Sequence, residues 1–228
     1  MKSEAAWQVH GIDPRRVRAV VFDLGGVFLK GTVDNVIRFG ESVGMTSEVW
    51  RVIRHELFID GGAWDEVERG EMNLDTFAEI LSGFLARQGI QIDMERARNF
   101  MGNPADSIMM RLRPEIVEAC LTVRRVMPTA LLTNNIAEWR EQWRTRLDIP
   151  ALFNQVIDSS EVGLRKPEPG IYKLMEAALN MPGEDLLFID DLGVNLKGAR
   201  NLGWQTLKYD ETAKVLEVLS TVTSAAQG

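Results

Sequence analysis

Five short apolar runs recur along the chain: Arg18–Phe22, Thr129–Thr133, Gln155–Asp158, Leu186–Ile189 and Gln205–Tyr209. The clearest of them are near-continuous rather than alternating, the pattern of strands covered on both faces of a parallel sheet. From the second run onward, helical patterns stand between them. Pro114-Glu115 opens one helix, with a proline and an acid where a first turn accepts both. Ile136–Leu147 reads as another. Beyond Pro169, the residues Ile171, Leu174, Met175, Ala178 and Leu179 fall at i, i+3, i+4, i+7 and i+8, a single amphipathic face. Asn195–Leu202, closed by Gly203, and Ala213–Leu219 complete the set. Strand–helix alternation of this kind predicts right-handed βαβ units and a doubly wound α/β sheet.

The stretch from Gly31 to Arg111 breaks the alternation. Val33–Val43, Ser47–Phe58, Asn73–Gln88 and Asp93–Met101 read as helices, with Gly61-Gly62 as a break, and no strand is evident. Thr76, Phe77, Ile80, Leu81, Phe84 and Leu85 form a stripe suited to the core of a small bundle. The predicted organisation is an extension over 1–16, a core made of 17–30 and 112–228, and a helical insert over 31–111.

Composition narrows the function classes. The 228 residues are 45% apolar and 26% charged, which suits a packed core and excludes global disorder. The net charge of −7 and the absence of a basic stripe argue against nucleic-acid binding. No apolar run approaches the roughly 20 residues of a membrane span, and the N-terminus lacks a secretory h-region. The single cysteine, Cys120, suits a reducing compartment and a buried packing role. A soluble, cytoplasmic monomer or homodimer is expected.

The polar groups that follow the strands carry the chemistry. Asp23 follows the first, Thr133-Asn134 the second, Lys166 the third and Asp190-Asp191 the fourth. In an open parallel sheet, ligands bind beyond the carboxyl ends of the strands, so these residues converge if the topology holds. Alone, each has an ordinary reading as a turn, cap or surface residue. Asp23, Asp190 and Asp191 against Lys166 leave a charge of −2, which repels a phosphate dianion; a divalent cation brings it to zero. Mg²⁺ takes oxygen ligands of this kind. Asp23 then attacks phosphorus as nucleophile, while Mg²⁺, Lys166 and Thr133 hold the phosphoryl oxygens.

The motifs Phe22-Asp23-Leu24-Gly25-Gly26-Val27, Leu132-Thr133-Asn134, Val162–Pro169 with Ile171-Tyr172-Lys173, and Phe188–Leu196 resemble those of the haloacid dehalogenase superfamily. Within it, the chain resembles the branch containing the phosphatase domain of soluble epoxide hydrolases and related sugar-phosphate phosphatases. Trp64, Gly70-Glu71 and Phe77 fit its cap pattern. The resemblance implies a Rossmann-like core, a helical cap inserted after the first strand, Mg²⁺ and an aspartyl-phosphate intermediate. It implies Asp23 as nucleophile and metal ligand, the Gly25 carbonyl and Asp191 as further ligands, and Asp190 in the outer shell. It gives Thr133, Asn134 and Lys166 the phosphoryl group of a small phosphorylated metabolite.

Gly25 departs from this pattern. Phosphatases of the family place a second aspartate there, which protonates the leaving group and activates water. Such acid–base help is worth about 10² to 10⁴ in rate. The expectation is a Mg²⁺-dependent phosphatase weakened at this step. A phosphate-binding or regulatory protein without turnover is one alternative. A metal-free 2-haloacid dehalogenase is another, disfavoured by Asp190-Asp191. His55 reads as a solvated helix residue and Trp64 as a packing residue. Trp139 and Trp143 read as one helix face. A glycine pair at 25–26 invites left-handed backbone, where an aspartate is strained.

Overall fold

The computed structural model describes residues 8–30, 32–59, 61–102 and 111–228. The first seven residues of the predicted extension, and residues 31, 60 and 103–110 of the insert, lie outside the described residues. All five predicted strands form, as β1 (Ala19–Phe22), β2 (Thr129–Thr133), β3 (Gln155–Asp158), β4 (Leu186–Asp190) and β5 (Gln205–Lys208). They pair in parallel in the order β3-β2-β1-β4-β5. The central β1 pairs with β2 through Val20–Thr129 and with β4 through Val20–Leu187. Chain connections diverge to either side of β1, so its carboxyl end opens the crevice typical of doubly wound sheets.

β1, β2 and β4 are buried along their whole length, which is why they read as continuous apolar runs. One face packs Val20, Phe22, Leu131 and Leu187 against α6 (Pro114–Arg124) and α12 (Thr212–Gln227). The other packs Val21, Leu132 and Phe188 against α10 (Pro169–Leu179) and α11 (Gly193–Arg200).

After β1 comes the helical insert: α1 (Thr32–Ser42), α2 (Ser47–Ile53) running into a π turn at Arg54–Phe58, α3 (Ala63–Glu68), α4 (Leu74–Arg87) and α5 (Met94–Arg98). It has its own core, in which the rings of Trp64, Phe77 and Phe100 meet edge-on or tilted at 5.0–5.3 Å. The two passages between core and insert lie side by side. Lys30 N donates to Arg111 O at 3.0 Å, and Arg113 N to Phe28 O at 2.8 Å. The Arg113 guanidinium also donates to the carbonyls of Gly26, Val27 and Leu29. Among the described residues, no helix is long and apolar enough to cross a membrane.

The structure corrects the sequence reading in three places. Ile136–Leu147 is not one helix: a 3₁₀ turn at Ala137–Trp139 precedes α7 (Arg140–Arg144). The break lets Trp139 join the insert's core while Trp143 packs in the sheet core, so the two indoles serve different clusters. Helix α3 goes unpredicted because six residues carry too short a period; Gly61-Gly62 does separate it from the preceding π turn, with Gly62 as its N-cap. Two further short helices, α8 (Ile149–Leu152) and α9 (Ser159–Val162), escape for the same reason.

Candidate active site

Asp23 follows β1 directly, its N–H donating to Ile189 O of β4 at 2.9 Å. The sheet thus fixes its backbone while the side chain reaches the crevice. Lys166 Nζ lies 2.8 Å from Asp23 Oδ1 and 2.8 Å from Asp190 Oδ2, although the lysine is almost fully buried. Carboxylate oxygens of Asp23, Asp190 and Asp191 lie within 4.8 Å of one another. The sequence-predicted residues Asp23, Gly25, Thr133, Asn134, Lys166 and Asp191 border one cavity of about 440 Å³. Asp190 sits just behind it, fully buried.

The two acids at the end of β4 are used differently. Both oxygens of Asp190 are engaged, by Lys166 Nζ, by Leu192 N at 2.7 Å and by Asn195 Nδ2 at 3.0 and 3.2 Å. Tyr172 in turn fixes Asn195 through its hydroxyl, which donates to the Asn195 carbonyl at 2.8 Å. No side chain among the described residues hydrogen-bonds the Asp191 carboxylate. It lies over Gly26, where a Cβ would sit 2.2 Å from Asp191 Oδ2. Gly26 also has φ +76°, so two constraints demand glycine there. Gly25 carries neither: its φ lies outside the left-handed region and a Cβ would meet nothing within 4 Å. The expected strain at 25 therefore belongs to 26.

Electrostatics follow burial. Burial pushes the Asp23 carboxyl up to about 8; Lys166 opposes the shift, while Asp190 and Asp191 add to it. Burial, with Asp190 next, holds Asp191 up at about 6. For Lys166 burial works against the charge, but Asp190 and Asp23 outweigh it and raise the ammonium. A group of carboxylates this close, held apart from ionising together, fits a hard divalent cation with oxygen ligands. Asp191 has the free oxygens for it and Asp190 does not.

Thr133, buried at the end of β2, lines the cavity. Asn134 is spent on architecture. Its Oδ1 accepts from Lys166 N at 2.8 Å, and its Nδ2 donates to Lys166 O at 2.9 Å and to Glu68 Oε2 at 3.0 Å. The amide thereby clamps the loop that carries Lys166.

Glu68, in α3 of the insert, is a residue the sequence reading missed. Its carboxylate accepts from Trp64 Nε1 at 2.9 Å, Asn134 Nδ2, and Arg165 Nε at 2.7 Å. Arg165 also pairs with Asp65 at 3.0 Å. Burial raises Glu68 and Arg165 opposes that shift. One helix turn of the insert thus grips both the Asn134 and the Arg165-Lys166 loops. Nearby, Gly70 packs so closely on the Ser160 carbonyl that a Cβ would lie 2.5 Å from its oxygen. The spacing Trp64, Glu68, Gly70 was the available signal, but its partners lie about 70 and 100 residues away. His55 is 77% exposed, makes only a 3.6 Å approach to Glu56, and stays outside the cavity.

A five-stranded parallel sheet, a helical insert after β1 and an acidic cluster with a buried lysine at the strand ends define a hydrolase of the α/β class with a cap. Residues 17–203 match the haloacid dehalogenase-like hydrolases, and the chain belongs to that family. It is 25% identical to rat bifunctional epoxide hydrolase 2 over 91% of its own length but only 39% of that protein's, so it spans well under half of this relative. The D-ribitol-5-phosphate phosphatase of Bacteroides thetaiotaomicron is 22% identical, over 90% of this chain and 98% of that one. The fold is shared with a haloacid dehalogenase family enzyme of Bacteroides thetaiotaomicron, solved with magnesium and inorganic phosphate. The TM-score is 0.59 at 23% identity, covering 84% of this chain and 93% of that one.

Proposed function

We propose that the chain is a Mg²⁺-dependent phosphatase acting on a small phosphate monoester through an aspartyl-phosphate intermediate. The observation that carries this reading is Lys166 Nζ at 2.8 Å from Asp23, beside the carboxylates of Asp190 and Asp191 at the carboxyl edge of the sheet. A carboxylate, an ammonium and a cation site at this spacing serve phosphoryl transfer. The Asp23 oxygen attacks phosphorus, the ester P–O bond breaks, and the ester oxygen leaves with the electron pair. Lys166 neutralises a phosphoryl oxygen, Thr133 donates to another, and Asn134 keeps the Lys166 loop in place. Asp23, the Gly25 carbonyl and Asp191 would hold Mg²⁺, which supplies charge neutralisation at the phosphoryl oxygens. Asp190 orients Lys166 from behind. Water then attacks the acyl phosphate, releasing phosphate and restoring the carboxylate. Two acids beside the nucleophile disfavour metal-free dehalogenation, because the single ammonium of Lys166 cannot offset three carboxylates.

The test is phosphate release from phenyl phosphate, with Mg²⁺ and with chelator, by the wild type and Asp23→Asn. Turnover that needs both Mg²⁺ and Asp23 is expected. Halide release from a 2-haloacid without metal, and no phosphate release, would replace this reading with the dehalogenase. Phosphate binding with no turnover of any ester would leave a ligand-binding protein, the alternative that Gly25 favours.

A further inference from the structure

We infer that the substrate is the phosphate monoester of an apolar aromatic alcohol, not of a polyol; the inference rests on the phosphatase reading above. Away from the phosphoryl end, the cavity wall is mostly apolar. Phe58, Trp64, Ile136, Trp139, Leu192 and Val194 line it. Leu192, just after Asp190-Asp191, and Val194, in the first turn of α11, are 47% and 51% exposed. Large apolar side chains left open at the rim of a cavity mark a surface that a ligand covers.

Apart from Arg54, an exposed guanidinium at the cavity's edge that makes no ion pair among the described residues, the polar side chains of that wall are committed elsewhere. Glu68 is held by Trp64, Asn134 and Arg165, and Arg165 by Glu68 and Asp65. The Asn135 Oδ1 accepts from Ile136 N at 2.9 Å. The groups with no partner, Asn135 Nδ2 and Trp143 Nε1, are donors shut off from solvent. A polyol brings hydroxyl hydrogens that need acceptors, and burying them unpaired costs about 1–3 kcal/mol each by mutational measure. An aromatic ring brings no such demand and fits beside Trp64 and Trp139.

Gly25 points the same way by a separate route. When the P–O bond breaks, the ester oxygen keeps the electron pair. An alkoxide then needs a proton, and position 25 has no acid to give one. A phenolate departs as the anion and takes its proton later from water.

The experiment is calorimetric titration of the full chain, as Asp23→Asn with Mg²⁺, with inorganic phosphate, phenyl phosphate, 2-naphthyl phosphate and glucose 6-phosphate. If Asp23→Asn does not fold, benzylphosphonate and naphthylmethylphosphonate on the wild type replace the esters. The naphthyl ligand should bind roughly tenfold tighter than the phenyl one, the worth of about 50 Å² of newly buried apolar surface. Glucose 6-phosphate should bind no tighter than inorganic phosphate. Leu192→Ser should bring the naphthyl-to-phenyl ratio down about threefold. On the wild type, kcat across substituted phenyl phosphates should rise steeply as the phenol becomes more acidic. Glucose 6-phosphate binding as tightly as the naphthyl ester, or a flat leaving-group series, overturns the inference while leaving the phosphatase reading intact. Failure of phosphate itself to bind, with no ester turned over, overturns both.

Discussion

The two ends of the crevice are built on opposite plans. The phosphoryl end consists of charged groups at the ends of fully buried strands, each fixed by the sheet or by a paired loop. The opposite end consists mainly of apolar side chains drawn from the insert, from the segment after β2 and from the rim beyond β4, with Glu68 and Arg165 pinning one part to the other and Arg54 exposed at the edge. On the phosphatase reading, the first arrangement serves the reaction and the second the leaving group, so chemistry and selectivity fall to opposite ends of the crevice. Asp23→Asn should break the chemical end outright, lowering turnover by about 10³-fold or more with little change in melting temperature, because the amide cannot form an acyl phosphate. Comparable melts, paired with phosphate-release assays, check it. Turnover near wild type would remove Asp23 from the reaction.

Gly25 and Gly26 stand where the two ends meet, and they should respond oppositely. Gly25→Asp adds its side chain into open space on an unstrained backbone. It should fold and raise turnover of alkyl phosphates by up to about 10²-fold, more than that of aryl phosphates. Gly26→Ala would drive a methyl into the Asp191 carboxylate at a left-handed position. It should abolish the stabilisation by Mg²⁺ seen in thermal melts. A folded Gly25→Asp with no alkyl gain would mean that another group already supplies the proton.

Legibility in the sequence follows the same division. The acidic end was readable because strand ends put Asp23, Thr133 and Asp190-Asp191 at positions fixed by topology, and topology follows from short local patterns; Lys166 joins them from a loop beyond α9 that Asn134 holds. The split between Asp190 and Asp191 depends on where Asn195, Leu192 N and Lys166 point, which no pattern states in the absence of a family. The insert end was hidden for a different reason. Glu68 looks like any surface acid on a short helix until Arg165 and Asn134 arrive from the core. Gly25 and Gly26 are one dipeptide in sequence, yet only one of them is conformationally obliged to be glycine.

The Glu68 contact joins the two ends, and removing it should have a middling effect. Glu68→Ala leaves Arg165 with Asp65 alone and frees one hydrogen of the Asn134 amide. Breaking a buried pair in this way costs about 3–5 kcal/mol when uncompensated, and the remaining Asp65 contact should reduce that. The melting temperature should fall by several degrees. Turnover should drop about tenfold through a looser Lys166 loop. Glu68→Gln, which keeps an acceptor oxygen, should recover part of the rate. Equal losses for Ala and Gln would mean that charge rather than placement is what Glu68 supplies.

The smallest expected effect tests the electrostatics of the phosphoryl end alone. Burial and Asp190 hold the folded-state pKa of Asp191 at about 6, against 3.8 as its ordinary value. The folded protein therefore keeps a proton there that the unfolded chain gives up. By linkage, the stabilising contribution of this group is fully present below about pH 3.8 and is lost as pH rises to about 6. Mg²⁺ requires the carboxylate form, so the Asp191 contribution to its binding should strengthen up to about pH 6, and that of Asp23, raised to about 8, at higher pH. Thermal melts from pH 5 to 8 should show a Mg²⁺-induced rise that grows in two stages, up to about 6.5 as Asp191 ionises and on towards pH 8 as Asp23, pushed up to about 8, follows. Asp191→Asn should flatten that dependence and remove most of the rise, while the metal-free melt of this variant should no longer carry the downward step below pH 6. A Mg²⁺ shift that is equally large at pH 5 and pH 8 in the wild type would place the ion away from Asp191, and the division of labour between Asp190 and Asp191 would have to be redrawn.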